Sequence, residues 1–317
     1  MNVSASDLLL PNNGKPLLKS LLSLQQDRIY ASKKWVFAQM KKIIPHIDQL
    51  QRAASEVRAA RDVAEIADGL KYFLTYYDVL NYNLLYGFPL WRARRCNDKR
   101  GFANTREIYY PPARCAKIGR LNEAESPMLY TSFNIPTTLK ELKSVPGEYV
   151  QVAGYVMPPT RPIQCLILGE FLNVHRRGQG MIPGSSSNAI NEIVDGLPYE
   201  TGLSFIFMDA FLSELLTDPD SSQREHVHSR VLAKLLFEKY PNIEAIHYPS
   251  VASEGSMNLA IKPGTTDEAL GVMGTSVLHI DTLYDFGIFR YTVVRNARSF
   301  KSNGIINWED MFYNPGL

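Results

Sequence analysis

Apolar residues recur at helical spacing three times early in the chain. Val36, Met40, Ile43 and Ile44 make one stripe, Ile47, Leu50, Ala54 and Val57 a second, and Val63, Ile66, Leu70, Phe73, Leu74 and Tyr77 a third. Pro45 separates the first two, because proline lacks the amide donor and clashes with the preceding turn. Residues 20–85 are therefore expected to form a small antiparallel helical unit. Tyr72, Phe73, Tyr76, Tyr77, Tyr82 and Tyr86 end it with an aromatic run suited to packing onto the next domain.

From Pro89 the pattern changes to short β-like runs between prolines and glycines. Strands are expected at 129–132, 149–157 and 163–168, and a helix opened by Pro136 carries Leu139, Lys140 and Glu141. Residues 176–188 read as a mobile loop whose glycines, 178, 180 and 184, lack dinucleotide-fingerprint spacing. A helix is expected at 222–240, closed by Pro241, then alternating strands at 243–248 and 257–261. Further strands lie around 277–280 and 288–294, before an aromatic tail with Trp308 and Phe312. The whole predicts an α+β protein with an N-terminal helical region over 1–88 and a mixed-sheet domain over 89–317.

With 317 residues, 45% of them hydrophobic, the chain can bury a core without staples. Cys96, Cys115 and Cys165 show no Cys-x-x-Cys pairing, which predicts free thiols in a reducing compartment. No basic-then-apolar leader opens the sequence and no run reaches the ~18 apolar residues of a membrane span, so a soluble, cytoplasmic protein without membrane contact is expected. His226 and His228, two residues apart on the expected helix, point roughly 200° apart and cannot share an ion, so no metal is expected. Ser250 lacks a nucleophile elbow, and Glu123 and Glu125 do not stand out as a glycosidase pair.

Charge changes the picture. Between Arg92 and Arg120, nine Lys or Arg face only Asp98 and Glu107, a local +7 in a chain whose net charge is +2. Such an island fits a solvated face, a phosphorylated small ligand or nucleic acid, and the count alone does not separate them.

The ordered blocks do. Trp91-Arg92, Gly119-Arg120-Leu121-Asn122, Leu129-Tyr130-Thr131-Ser132, a helix carrying Glu141, Tyr248-Pro249-Ser250 and Asn258-Leu259-Ala260 succeed one another in an order that resembles the RES domain. The resemblance covers roughly 89–265, leaving 266–317 as a C-terminal strand extension. It implies an ADP-ribosyltransferase-like fold and, as in bacterial toxins of Xre–RES toxin–antitoxin pairs, an NAD-consuming enzyme: an NAD glycohydrolase or phosphorylase, or else an ADP-ribosyltransferase. By the same resemblance Glu141, Arg92 and Ser250 are the catalytic set, and Arg92, Arg120, Tyr130, Asn122 and Ser132 bind NAD. Orthophosphate and an Xre-like antitoxin are the implied partners, and nucleic acid is not expected. Glu141 would stabilise a ribosyl cation, the arginines would hold phosphates, Tyr130 would orient the nicotinamide, and Ser250 would bond the ligand or fix Glu141. The helical region and the long stretch between Glu141 and Ser250 depart from the compact family pattern.

Overall fold

A computed structural model describes residues 43–182 and 186–311. Its strands are β1 (Asn81–Leu84), β2 (Leu90–Cys96), β3 (Leu129–Ser132), β4 (Tyr149–Val156), β5 (Ile163–Ile167), β6 (Ala245–Pro249), β7 (Met257–Ile261), β8 (Gly271–Tyr284), β9 (Ile288–Phe300) and β10 (Ile306–Asp310). They form one sheet in the order β1-β5-β6-β7-β3-β2-β4-β8-β9-β10. Neighbours are antiparallel except β5 and β6, whose parallel pairing needs the long helical crossover between them.

The helices are α1 (Ile47–Ala59), α2 (Val63–Tyr76), α3 (Ile135–Glu141), α4 (Glu170–Arg177), α5 (Ser186–Asp195), α6 (Tyr199–Thr217), α7 (Val227–Lys239) and α8 (Pro263–Ala269). Side chains start several of them. Asp62 accepts from the amides of Ala64 and Glu65 at the head of α2, and Asn134 accepts from that of Thr137 at the head of α3. The apolar stripes of α1 and α2 enter one core with α4, α6 and α7 against Leu166, Ile246 and Ala260 of the sheet. The aromatic run packs as expected: Phe73 meets Phe211 with ring centroids 4.5 Å apart, Tyr77 donates to Asp209 at 2.8 Å, and Tyr82 bonds His247 at 2.7 Å. β1, the next element after α2, is the edge strand of the same sheet.

The α+β class with helices ahead of a mixed sheet is what the structure has; several expected elements differ. Val36 and Met40 lie outside the described residues, and Ile43 and Ile44 precede α1 in non-helical chain. Within the stretch expected as a mobile loop at 176–188, Arg176 and Arg177 close α4 and α5 starts at Ser186, while 183–185 lie outside the described residues. Between them the amides of Met181 and Ile182 donate to the buried Glu170 carboxylate at 2.6 and 3.1 Å. The helix expected from 222 begins at Val227, because Glu225 and His226 take left-handed φ values of 49° and 56°. His226 therefore precedes the helix rather than riding on it. Trp308 belongs to β10, and Phe312 lies outside the described residues.

Candidate functional site

Trp91, Ser132, Asn258 and Tyr248 are successive register partners across β2, β3, β7 and β6. Paired residues of antiparallel strands share a face, so these four side chains form a lateral row on one side of the sheet. On that side α2, α4, α6 and α7 cover the β5–β7 flank, while α3 packs with Trp91, Val152 and Leu278 over the β2–β8 flank. The row stands at the seam between the two covers.

Glu141, the last residue of α3, reaches this row. Its Oε1 accepts from the Ser250 hydroxyl at 2.6 Å and from Asn258 Nδ2 at 2.6 Å. Ser132 Oγ in turn donates to Asn258 Oδ1 at 2.6 Å. A carboxylate at a helix C-terminus is disfavoured by the dipole, so two aimed donors compensate its position. Glu141 is exposed, whereas Ser132, Tyr248, Asn258 and Ser250 are 3, 4, 5 and 7% exposed: an accessible acid on a buried, mutually satisfied polar floor. Tyr248 hydrogen-bonds the Asn258 side chain. Burial, with help from Tyr130 and Glu141, pushes its phenol well above the usual range and keeps it protonated.

A second cluster forms around Tyr130. Its hydroxyl donates to Asn122 Oδ1 at 2.8 Å and accepts from the Leu121 amide at 2.9 Å. Asn122 closes its own loop by donating to the carbonyls of Lys117 and Glu123. Gly119 is required here, because a Cβ would lie 2.3 Å from Asn122 Oδ1 and 3.1 Å from the Tyr130 hydroxyl. Arg120 turns away: its Nη1 donates to Leu216 O at 2.7 Å, Asp218 O at 3.2 Å and Ser221 Oγ at 3.1 Å, gripping the end of α6. Its charge nevertheless acts on both Tyr130 and Tyr248.

Arg92 comes directly after Trp91 and leaves the opposite face of β2. There it lies beside Tyr155, and its Nη1 crosses to the Tyr130 carbonyl at 3.3 Å. Its Nε is buried with no hydrogen-bond partner, and burial lowers the guanidinium pKa. The structure thus gathers Glu141, Ser250 and Ser132 around Asn258, sets Tyr248 within electrostatic reach of Glu141, Tyr130 and Arg120, and holds Arg92 on the other face against the Tyr130 carbonyl. Asn258, present in the ordered blocks without an assigned role, holds Glu141, and Tyr248 hydrogen-bonds Asn258 from the side. The signal for Asn258 was a polar residue inside an otherwise apolar strand.

The basic island is largely spent within the protein. Arg94 donates to the Glu107 carbonyl and stacks on Phe102, Arg95 pairs with Glu148, and Arg100 with Asp98. His226 and His228 turn to separate partners, Ser221 and the Val57 carbonyl. Among the described residues no group of His, Cys, Asp and Glu could hold a metal, and no helix is long and apolar enough to cross a membrane.

Fold and site define an α+β protein whose central sheet presents a clamped carboxylate to solvent. A family model, the RES domain, matches residues 89–280, more than half of the sequence, and the chain belongs to the RES domain family. The match runs past the strands expected to end the resemblance at 265, through α8 and into β8. No curated protein and no solved structure matches.

Proposed function

We propose that this chain binds NAD and breaks its nicotinamide–ribose bond by hydrolysis or phosphorolysis, lowering cellular NAD and arresting growth. The RES domain is NAD-related. The observation that carries the reading is Glu141, exposed and held through Oε1 by Ser250 and Asn258 at 2.6 Å each. When the bond breaks, its electron pair goes to the nicotinamide nitrogen, which becomes neutral, and positive charge develops on the ribose ring. A carboxylate already fixed beside that ring stabilises the charge without reorganising. A water oxygen then bonds to the anomeric carbon and gives its proton to solvent, or an anionic orthophosphate oxygen bonds there with no proton to lose.

Arg92 offers guanidinium donors to the pyrophosphate or to the attacking phosphate. Tyr130 orients the nicotinamide with its ring, since its hydroxyl is used by Asn122 and Leu121. Arg120 adds charge from the α6 side. An Xre-like antitoxin is the partner this reading carries.

Purified protein is incubated with NAD, with and without phosphate, and products are followed by chromatography. Nicotinamide release that depends on Glu141 supports the reading, and the sugar product names the acceptor. Release of none by well-folded protein overturns it, while label from NAD appearing on protein makes the enzyme an ADP-ribosyltransferase.

A further inference from the structure

We infer that Ser132 and Asn258 are positioning residues that act on substrate only through Glu141, and that they divide the labour of its two carboxylate oxygens. The inference rests on the role proposed for Glu141 above.

Asn258 is 5% exposed, and its amide has one workable orientation. Ser132, 3% exposed, donates to Oδ1 at 2.6 Å, which aims Nδ2 at Glu141 Oε1. Turning the amide over would set oxygen against oxygen at the 2.6 Å contact with Glu141, two acceptors without a proton between them. The Ser250 hydroxyl is oriented as well: it accepts from the Ser253 amide at 3.1 Å, so its proton goes to Oε1. Both donors therefore land on the same oxygen. Oε2 makes no hydrogen bond among the described residues, and Glu141 is exposed. Oε2 is thus the oxygen that meets a ribose hydroxyl, and Oε1 is the fixed pivot. Ser132, expected from the resemblance to touch NAD, instead sits behind Asn258.

The test is a double-mutant cycle on NAD cleavage by the full chain. Displacing a catalytic group slightly costs up to on the order of 100-fold in rate, so Asn258→Leu lowers kcat by about that factor. Ser132→Ala lowers it less, and Ser132→Thr, which keeps the hydroxyl, restores it. KM for NAD stays within about threefold, and the double variant is no slower than Asn258→Leu alone, because residues acting through one another are non-additive. Additive losses, or a KM rise with Ser132→Ala, overturn the inference.

A second readout does not depend on folding of the Asn258 variant or on turnover. The Asn258 side-chain amide protons, followed by NMR, exchange slowly in the native protein and faster in Ser132→Ala; equal rates overturn the relay. If the native protein releases no nicotinamide, the proposed reaction fails, and amide exchange alone decides the relay.

Discussion

Arg92 gives a guanidinium hydrogen to the carbonyl oxygen of Tyr130 at 3.3 Å, crossing a gap where β2 and β3 meet in register only at Trp91 and Ser132. A half-buried cation with one orphaned nitrogen is a poor stabiliser. Arg92→Met is accordingly expected to leave the thermal midpoint unchanged or raise it. Its KM for NAD should rise by roughly 10–100-fold, the value of a hydrogen bond to a charged group. Thermal denaturation beside steady-state kinetics checks both halves.

Glu141→Gln keeps the shape of the site and removes the charge. The loss of an aimed electrostatic group predicts a kcat lower by about 10²–10³-fold, with NAD binding little changed. Nicotinamide release and calorimetric titration with NAD separate the two quantities.

Arg120→Leu frees two carbonyls and a hydroxyl at the end of α6. Buried acceptors left without partners cost about 1–3 kcal/mol, so the expected phenotype is lower stability in denaturant unfolding. A variant of full stability and weakened NAD binding would show that the arginine serves the ligand instead.

Phe286 sits at the β8–β9 turn with φ 61° and ψ 11°, ahead of Gly287 at φ 71°, and is 92% exposed. Two successive positive φ values define a turn that prefers Asn-Gly, and the left-handed region costs a bulky residue about 1–2 kcal/mol. Phe286→Asn should raise stability by about 1 kcal/mol in chemical denaturation. The Lys140 contact to the 286 carbonyl is kept, since it is made to backbone.

Asp209 is fully buried, and desolvation raises its pKa from 3.8 to about 6, against hydrogen bonds from Leu172, Gly169 and Tyr77 that lower it. The folded state then binds its proton more tightly than the unfolded state. The stability this contributes is complete below about pH 4 and is lost as pH rises through about 6. The change amounts to about 3 kcal/mol at 1.36 kcal/mol per pH unit. Relative to Asp209→Asn, the native protein should lose stability between about pH 4 and about pH 6.5, measured by urea unfolding at each pH.

Strands at 129–132 and 257–261 were readable to the residue because each is a short β-rich run bounded by turn residues. α6 was not. Ser204, Phe205, Met208, Asp209, Phe211, Leu212 and Leu216 are all buried, so the helix carries no polar stripe against which a period could be counted. The residue types of the site were visible as ordered blocks, yet their geometry was not. Nothing in the spacing says that Ser132 faces Asn258 or that Arg120 turns to α6. The first comes from sheet register and the second from tertiary packing at the end of α6, neither of which local pattern encodes.

Ser250 and Asn258 lie 109 and 117 residues beyond the carboxylate they hold. Contacts so distant along the chain form only when β3, β6 and β7 have closed into one sheet. A nascent chain that has emerged as far as α7 already possesses Arg92, Arg120, Tyr130 and Glu141, yet neither donor to Oε1. On the proposed reading, the carboxylate lacks its full pair of positioning donors until β7 is delivered, so the order of synthesis places completion of the site late in translation.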